Sequence, residues 1–219
     1  MKLPFADRAT AARALAQRLA QMRLTPPVVV LALPRGGVPI GAEIARALGA
    51  ELDLVLVRKL GLPWQPELAV AALVDGDPPE LVVDDEVQQM YGVARADIES
   101  QARRELAEIA RRRERYLAGR APVSLAGATA VVVDDGIATG TTMRAALKAL
   151  RRRHPARLVL AVPVAPADTL ARLRGEVDEL VCLATPEPFR AVGLHYADFH
   201  QVGDDEVIAA LASARPAPT

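Results

Sequence analysis

The sequence predicts an α/β protein with a doubly wound, mainly parallel sheet, helices on both faces, a small hairpin insertion and a C-terminal hood. From residue 28 onward, short aliphatic runs alternate with amphipathic stretches, the reading of a parallel sheet with crossover helices. The runs are strand-sized, although 51% of the 219 residues are hydrophobic. None approaches the roughly 18 residues of a membrane span, so a soluble chain is expected.

The first element is a helix over residues 9–22, rich in Ala, Leu, Arg and Gln, with Leu15, Leu19 and Met22 at helical spacing. Pro26 and Pro27 end it. Strands follow at 28–33, 54–57, 129–134, 158–164 and 179–183, each β-branched or Leu-rich and bounded by turn residues. The crossover helices are 41–48, 141–153 and 167–174, the first closed by Gly49.

Two segments break this rhythm. Residues 68–83, with Gly76 and Pro78-Pro79 between two apolar runs, read as a β-hairpin. Residues 94–117 read as a long charged helix in which Glu99 with Arg103 and Glu108 with Arg112 make i,i+4 pairs. Its basic cluster at 111–115 is broken by Glu114 and reads as a solvated face. The tail 212–219 is expected to fray. With no internal repeat, one domain spans 1–219, its core at about 28–183.

Charge and cysteine content exclude several classes. Lys plus Arg and Asp plus Glu both number 27, so no global basic field draws the chain to nucleic acid or an anionic membrane. Met1 to Thr10 mix acidic and basic residues where a secretory signal would be apolar, and the expected compartment is the cytoplasm. The lone Cys182 lies in an apolar run and reads as a small buried hydrophobe.

The chemistry concentrates at 131–142. A Val run ends in Asp134 and Asp135, and a loop bracketed by Gly136 and Gly140 then opens onto a helix through Ala138, Thr139, Thr141 and Thr142. Free N–H groups and the dipole at a helix N-terminus make an anion site, small residues let a phosphate approach the backbone, and the threonines add donors. Adjacent carboxylates suit sugar hydroxyls or a magnesium ion. There is no Lys after Gly140 for a Walker loop and no G-x-G-x-x-G, so the nucleotide motifs are excluded.

This stretch resembles the ribose-phosphate signature of the type I phosphoribosyltransferases. The resemblance extends to Leu33-Pro34-Arg35-Gly36-Gly37, similar to that family's diphosphate loop, and to Val57-Arg58-Lys59 with Gly61 and Pro63. It implies a donor, 5-phosphoribosyl 1-diphosphate with Mg2+, whose diphosphate is displaced by a nitrogenous base or base-like acceptor. Asp134 and Asp135 would hold the ribose hydroxyls directly or through the metal. Ala138, Thr139, Gly140, Thr141 and Thr142 would hold the 5′-phosphate, and Arg35, Arg58 and Lys59 with Gly36 and Gly37 the diphosphate. A cis bond between Pro34 and Arg35 is implied as well.

The resemblance also places an acceptor hood at about 184–203, where Phe189 and Tyr196 would stack a flat base and Phe199, His195 and His200 are further candidates. A mobile lid would fall at 84–93, with Tyr91 a contact. Ala138 stands where relatives that use 6-oxopurines usually carry Asp, which points away from hypoxanthine and guanine. The family's habit makes a homodimer the expected assembly. A regulator that binds the donor without chemistry is the alternative, and no DNA-binding appendage accompanies the motif.

Overall fold

The computed structural model describes residues 3–62 and 64–214, leaving Pro63 and the end of the predicted fraying tail, 215–219, outside the described residues. Five strands form a parallel sheet in the order β2-β1-β6-β7-β8: β1 (Val28–Ala32), β2 (Glu51–Leu54), β6 (Thr129–Val133), β7 (Arg157–Val164) and β8 (Glu179–Ala184). Helices α1 (Arg8–Ala20), α2 (Gly37–Leu48) and α7 (Asp204–Ser213) cover one face, while α5 (Thr141–Arg151) and α6 (Ala167–Leu173) belong to the other side.

Strand alternation builds the two cores. Val30, Ala32, Val131 and Val133 pack with α1 and α2, whereas Val29, Leu31, Ala130 and Val132 pack with α5. The chain runs outward from β1 to β2 and then returns to β6 on the other side of β1. The order therefore reverses between β1 and β6, and ligands of open α/β sheets bind beyond the carboxyl ends of the strands at such a point.

Two boundaries differ from the sequence reading. The apolar run expected as a strand over 54–57 is a junction: β2 ends at Leu54, and β3 (Val57–Leu62) opens a second, antiparallel sheet with β4 (Gln65–Val74) and β5 (Glu80–Val83). Continuous hydrophobicity hides the break because Val55 and Leu56 are buried on either sheet's terms, Val55 N–H donating to Ala32 and the Leu56 carbonyl accepting from Asp75. Helix α2 starts at Gly37, one turn before the expected Gly41. Pro39 is no obstacle there, since a first-turn N–H has no intrahelical partner.

The predicted hairpin is thus part of a three-stranded sheet clasped between α4 (Arg95–Leu117) and α5. The short helix α3 (Asp85–Tyr91) follows β5, capped by the Asp84 side chain, which accepts from Val87 N–H, and closed by Gly92 in the left-handed region. No described helix is long and apolar enough to cross a membrane.

The basic cluster on α4 is consumed within the chain. Arg111 and Arg112 both donate to Glu108. Arg115 pairs with Asp204, and Arg113 reaches inward to Asp75 and Asp53. Glu99 takes Arg95 as its partner in place of the expected Arg103.

Asp53 and Asp75 are buried, and burial pushes the Asp75 pKa up against the pull of Arg113. Removing one member of such a network leaves charge in a poorly hydrated interior. Arg113→Met is expected to cost about 3 kcal/mol in urea unfolding at pH 7. The exposed Arg172–Asp168 pair is the control, and Arg172→Met is expected to leave the midpoint unchanged.

Candidate ligand site at the strand ends

The loops after β1 and β6 meet at the switch point. Ala32 pairs with Val133 and Leu33 N–H donates to the Val133 carbonyl, so Pro34 to Gly37 run directly beside Asp134 and Asp135. The Pro34–Arg35 peptide bond is cis. A methyl group on Gly36 would overlap the Asp135 carboxylate, and one on Gly37 would lie 2.9 Å from both the Asp134 Cα and the Val133 carbonyl oxygen. Both glycines have the φ of ordinary residues or helix, so space and not conformation requires them here.

The two carboxylates are neighbours in sequence but face different surroundings. Asp134 is half-buried; its Oδ1 accepts from the Asp135 N–H at 2.8 Å, and its side of the strand end lines a cavity of about 250 Å³ with Gly136, Ala138, Thr139 and Thr142. Burial, and after it the negative charge of Asp135, holds the Asp134 pKa well above the usual carboxylate range. Asp135 does not line that cavity. Its Oδ2 accepts from Arg8 Nε at 2.9 Å and pairs with Nη2 at 2.8 Å, and burial raises its pKa while Arg8 opposes the rise.

The loop from Gly136 to Gly140 is fixed on three sides. Ile137 N–H donates to the Val164 carbonyl, Thr169 Oγ1 donates to the Ala138 carbonyl, and Gly136 abuts Val192 so closely that a Cβ there would overlap it. Gly140 takes φ +80°, a left-handed turn that delivers the chain into α5. No side chain caps α5, and its first turn lines the same cavity through Thr141, Thr142 and Met143, with Thr139 and Thr141 exposed.

The predicted cations are dispersed. Arg35 Nη1 lies 3.7 Å from Asp204 Oδ1 at the start of α7, where Arg115 and the Tyr116 hydroxyl also converge. Arg58 and Lys59 are adjacent in β3 and must point to opposite faces. Arg58 donates to Glu105 Oε2 on α4 at 2.7 Å, while Lys59 is exposed on the other face and forms no ion pair among the described residues. The sequence reading grouped them; strand geometry separates them.

Tyr196 requires a correction. Expected as a stacking platform, it is 5% exposed, its hydroxyl donates to the Asp135 carbonyl at 2.6 Å, and its ring packs against Phe5 and Phe199. Phe189 is half-buried against the His195 ring and lines a cavity of about 720 Å³ shared with Ala138, Thr139 and Asp168. His195 is buried, with its pKa lowered by that burial, and its Nε2 has no hydrogen-bond partner among the described residues. His200 is exposed beside Glu206 and Asp198. Tyr91 ends α3, exposed, and lines neither of these cavities.

Sequence reasoning missed Arg8 and Phe5. Phe5 is sewn to the hood by its N–H to the His195 carbonyl and by Ala197 N–H to its own carbonyl. Arg8 also spans to the hood, Nη1 donating to the His200 carbonyl at 2.8 Å with the guanidinium 3.9 Å above the Phe199 ring. One Arg among 27 basic residues carries no local mark, and its partners lie more than a hundred residues away.

A family model described as "Phosphoribosyl transferase domain" matches residues 7–198. Two Mycobacterium tuberculosis proteins, "Putative phosphoribosyl transferase MT0597" and "Putative phosphoribosyl transferase Rv0571c", are each 50% identical over 214 residues, covering 98% of this chain and 47% of theirs. The chain thus spans about half the length of these curated relatives. The crystal structure of TT1426 from Thermus thermophilus is similar at a TM-score of 0.83 with 43% identity, covering 95% of this chain and 98% of that one.

Gly37→Ala tests the close approach of the two loops. The added methyl meets backbone atoms that cannot swing aside, and a loss of about 1–3 kcal/mol in denaturant unfolding is expected. Gly49→Ala meets open space but sits at φ +61°, so its cost reports only the left-handed backbone of a helix end.

Proposed function

The chain belongs to the phosphoribosyl transferase domain family, and from that premise we propose that it transfers the 5-phosphoribosyl group of 5-phosphoribosyl 1-diphosphate to a nitrogenous base or base-like acceptor. The observation that carries this reading is the joint placement of the Asp134 carboxylate and the uncapped start of α5 on one small cavity. A ligand that carries both an anion and a hydroxyl-bearing ring would satisfy both.

In this proposal the amides of Ala138 to Thr142 hold the 5′-phosphate, and Asp134 holds ribose hydroxyls through Oδ2, which makes no hydrogen bond among the described residues. Asp135 supports Asp134 from behind, engaged with Arg8. Lys59 and the loop of Arg35, Gly36 and Gly37 face the diphosphate. Magnesium fits the site as an ion arriving with the donor: among the described residues no cluster of three or more His, Cys, Asp or Glu could cage a metal, but one carboxylate oxygen plus ligand oxygens and waters suffices. When bound, the ion supplies positive charge beside the diphosphate.

The bond from the ribose anomeric carbon to diphosphate oxygen breaks with its electron pair leaving on diphosphate. The acceptor nitrogen forms the new bond and releases a proton. Positive charge developing on the ring is met by the Asp134 carboxylate, and negative charge on diphosphate by Lys59 and the backbone of Gly36 and Gly37, so preorganised electrostatics supplies the rate. The aromatic Phe189 at the neighbouring cavity is assigned to the acceptor.

A donor-binding regulator is the second reading. Its support is that Arg35 and Arg58 are already engaged by Asp204 and Glu105, which leaves Lys59 as the member of the three with no ion pair among the described residues. Calorimetric titration with 5-phosphoribosyl 1-diphosphate, with and without magnesium, tests the common ground; micromolar magnesium-dependent binding is expected. Asp134→Asn is expected to lose that binding with the fold intact by circular dichroism, and unchanged affinity would remove the site assignment. Diphosphate release in an acceptor screen then separates enzyme from regulator, with Lys59→Ala slowing turnover at least about tenfold if the enzyme reading holds.

A further inference from the structure

Arg8 opens α1 and is 8% exposed, a burial that a guanidinium tolerates only with its donors satisfied. Nε and Nη2 both engage Asp135 Oδ2, Nη1 engages the His200 carbonyl, and the guanidinium carbon lies over Phe199. One side chain therefore touches the acidic strand end, the hood backbone and a hood ring. Its own anchorage is fixed: Asp7 caps α1 by accepting from Thr10 N–H, and Phe5 and Ala6 are hydrogen-bonded to hood residues 195, 197 and 198.

We infer that Arg8 is a positioning residue that acts through Asp135. It pins the Asp135 carboxylate in the space that Gly36 leaves open, so that Asp134 alone of the pair faces the ligand cavity. It also ties that arrangement to the hood, making donor and acceptor sides share one rigid contact. A lysine cannot replace it: a single ammonium has no planar fork to hold Asp135 while donating to the His200 carbonyl and stacking on Phe199. Freed of the fork, Asp135 would be able to swing from Gly36 towards Asp134 and crowd the cavity with a second negative charge.

This inference rests on the donor-site reading above. The test is a double-mutant cycle in donor affinity, read by titration with 5-phosphoribosyl 1-diphosphate and magnesium, with thermal midpoints recorded in parallel. Arg8→Lys is expected to weaken binding about tenfold in the wild-type background and to add nothing to Asp135→Asn. Arg8→Gln, neutral and able to donate one bond, is the second variant and is expected to behave alike.

A lowered midpoint with unchanged donor affinity would make Arg8 a packing residue only and overturn the inference. Equal losses in both backgrounds would do so too, because Arg8 would then not act through Asp135. A wild-type chain that fails to bind the donor removes the donor-site reading itself, and the inference with it. A wild-type chain that binds normally beside indifferent Arg8 variants removes the inference alone.

Discussion

Between the loops that leave β1 and β6 there is no room for a methyl group, and the rest of the site depends on that constraint. The strands are neighbours in register, and the chain reverses its direction of travel across the sheet between them. Gly36 and Gly37 let one loop lie against Val133 and Asp134, which brings a run of backbone and an acidic strand end into contact. Side chains of any size would wedge the loops apart and open the cavity from behind. The glycine pair thus acts at the level of packing, and its consequence is electrostatic: backbone dipoles and carboxylates are held close in a poorly hydrated crevice.

Two adjacent carboxylates in such a place would repel, and the structure resolves this by giving them different tasks. Asp135 is taken by Arg8 and held in the protein. Asp134 keeps the cavity, its pKa raised by burial and by its neighbour, and so has the most to gain from a cation or from sugar hydroxyls. The hood is welded to the same point, since the Tyr196 hydroxyl bonds the Asp135 carbonyl and Arg8 bonds the His200 carbonyl. Tyr196, expected to receive a ligand, instead packs with Phe5 and Phe199 and fixes the relation between the N-terminal segment, the hood and the acidic strand end.

What was legible in the sequence is what local pattern encodes. The parallel sheet, the loop after Asp135, the start of α5 at Thr141 and the Gly49 cap follow from short-range rules of strand composition and helix ends. What was not legible depends on long-range pairing. The apolar run from Leu54 to Val57 divides between two sheets with no break in its hydrophobicity. Arg58 and Lys59 part company because a strand alternates its faces and only the Arg58 face of β3 packs against α4. Arg8 meets Asp135 across 127 residues, and nothing near either one announces the other.

Diffraction from crystals soaked with 5-phosphoribosyl 1-diphosphate and magnesium would show whether the acidic strand end and the start of α5 hold one ligand. The 5′-phosphate is expected on the amides of Ala138 to Thr142, with ribose hydroxyls within hydrogen-bond reach of Asp134 and the Arg8 contact to Asp135 intact. Donor density away from the start of α5, or Asp135 released from Arg8 and turned onto the ribose, would contradict that placement.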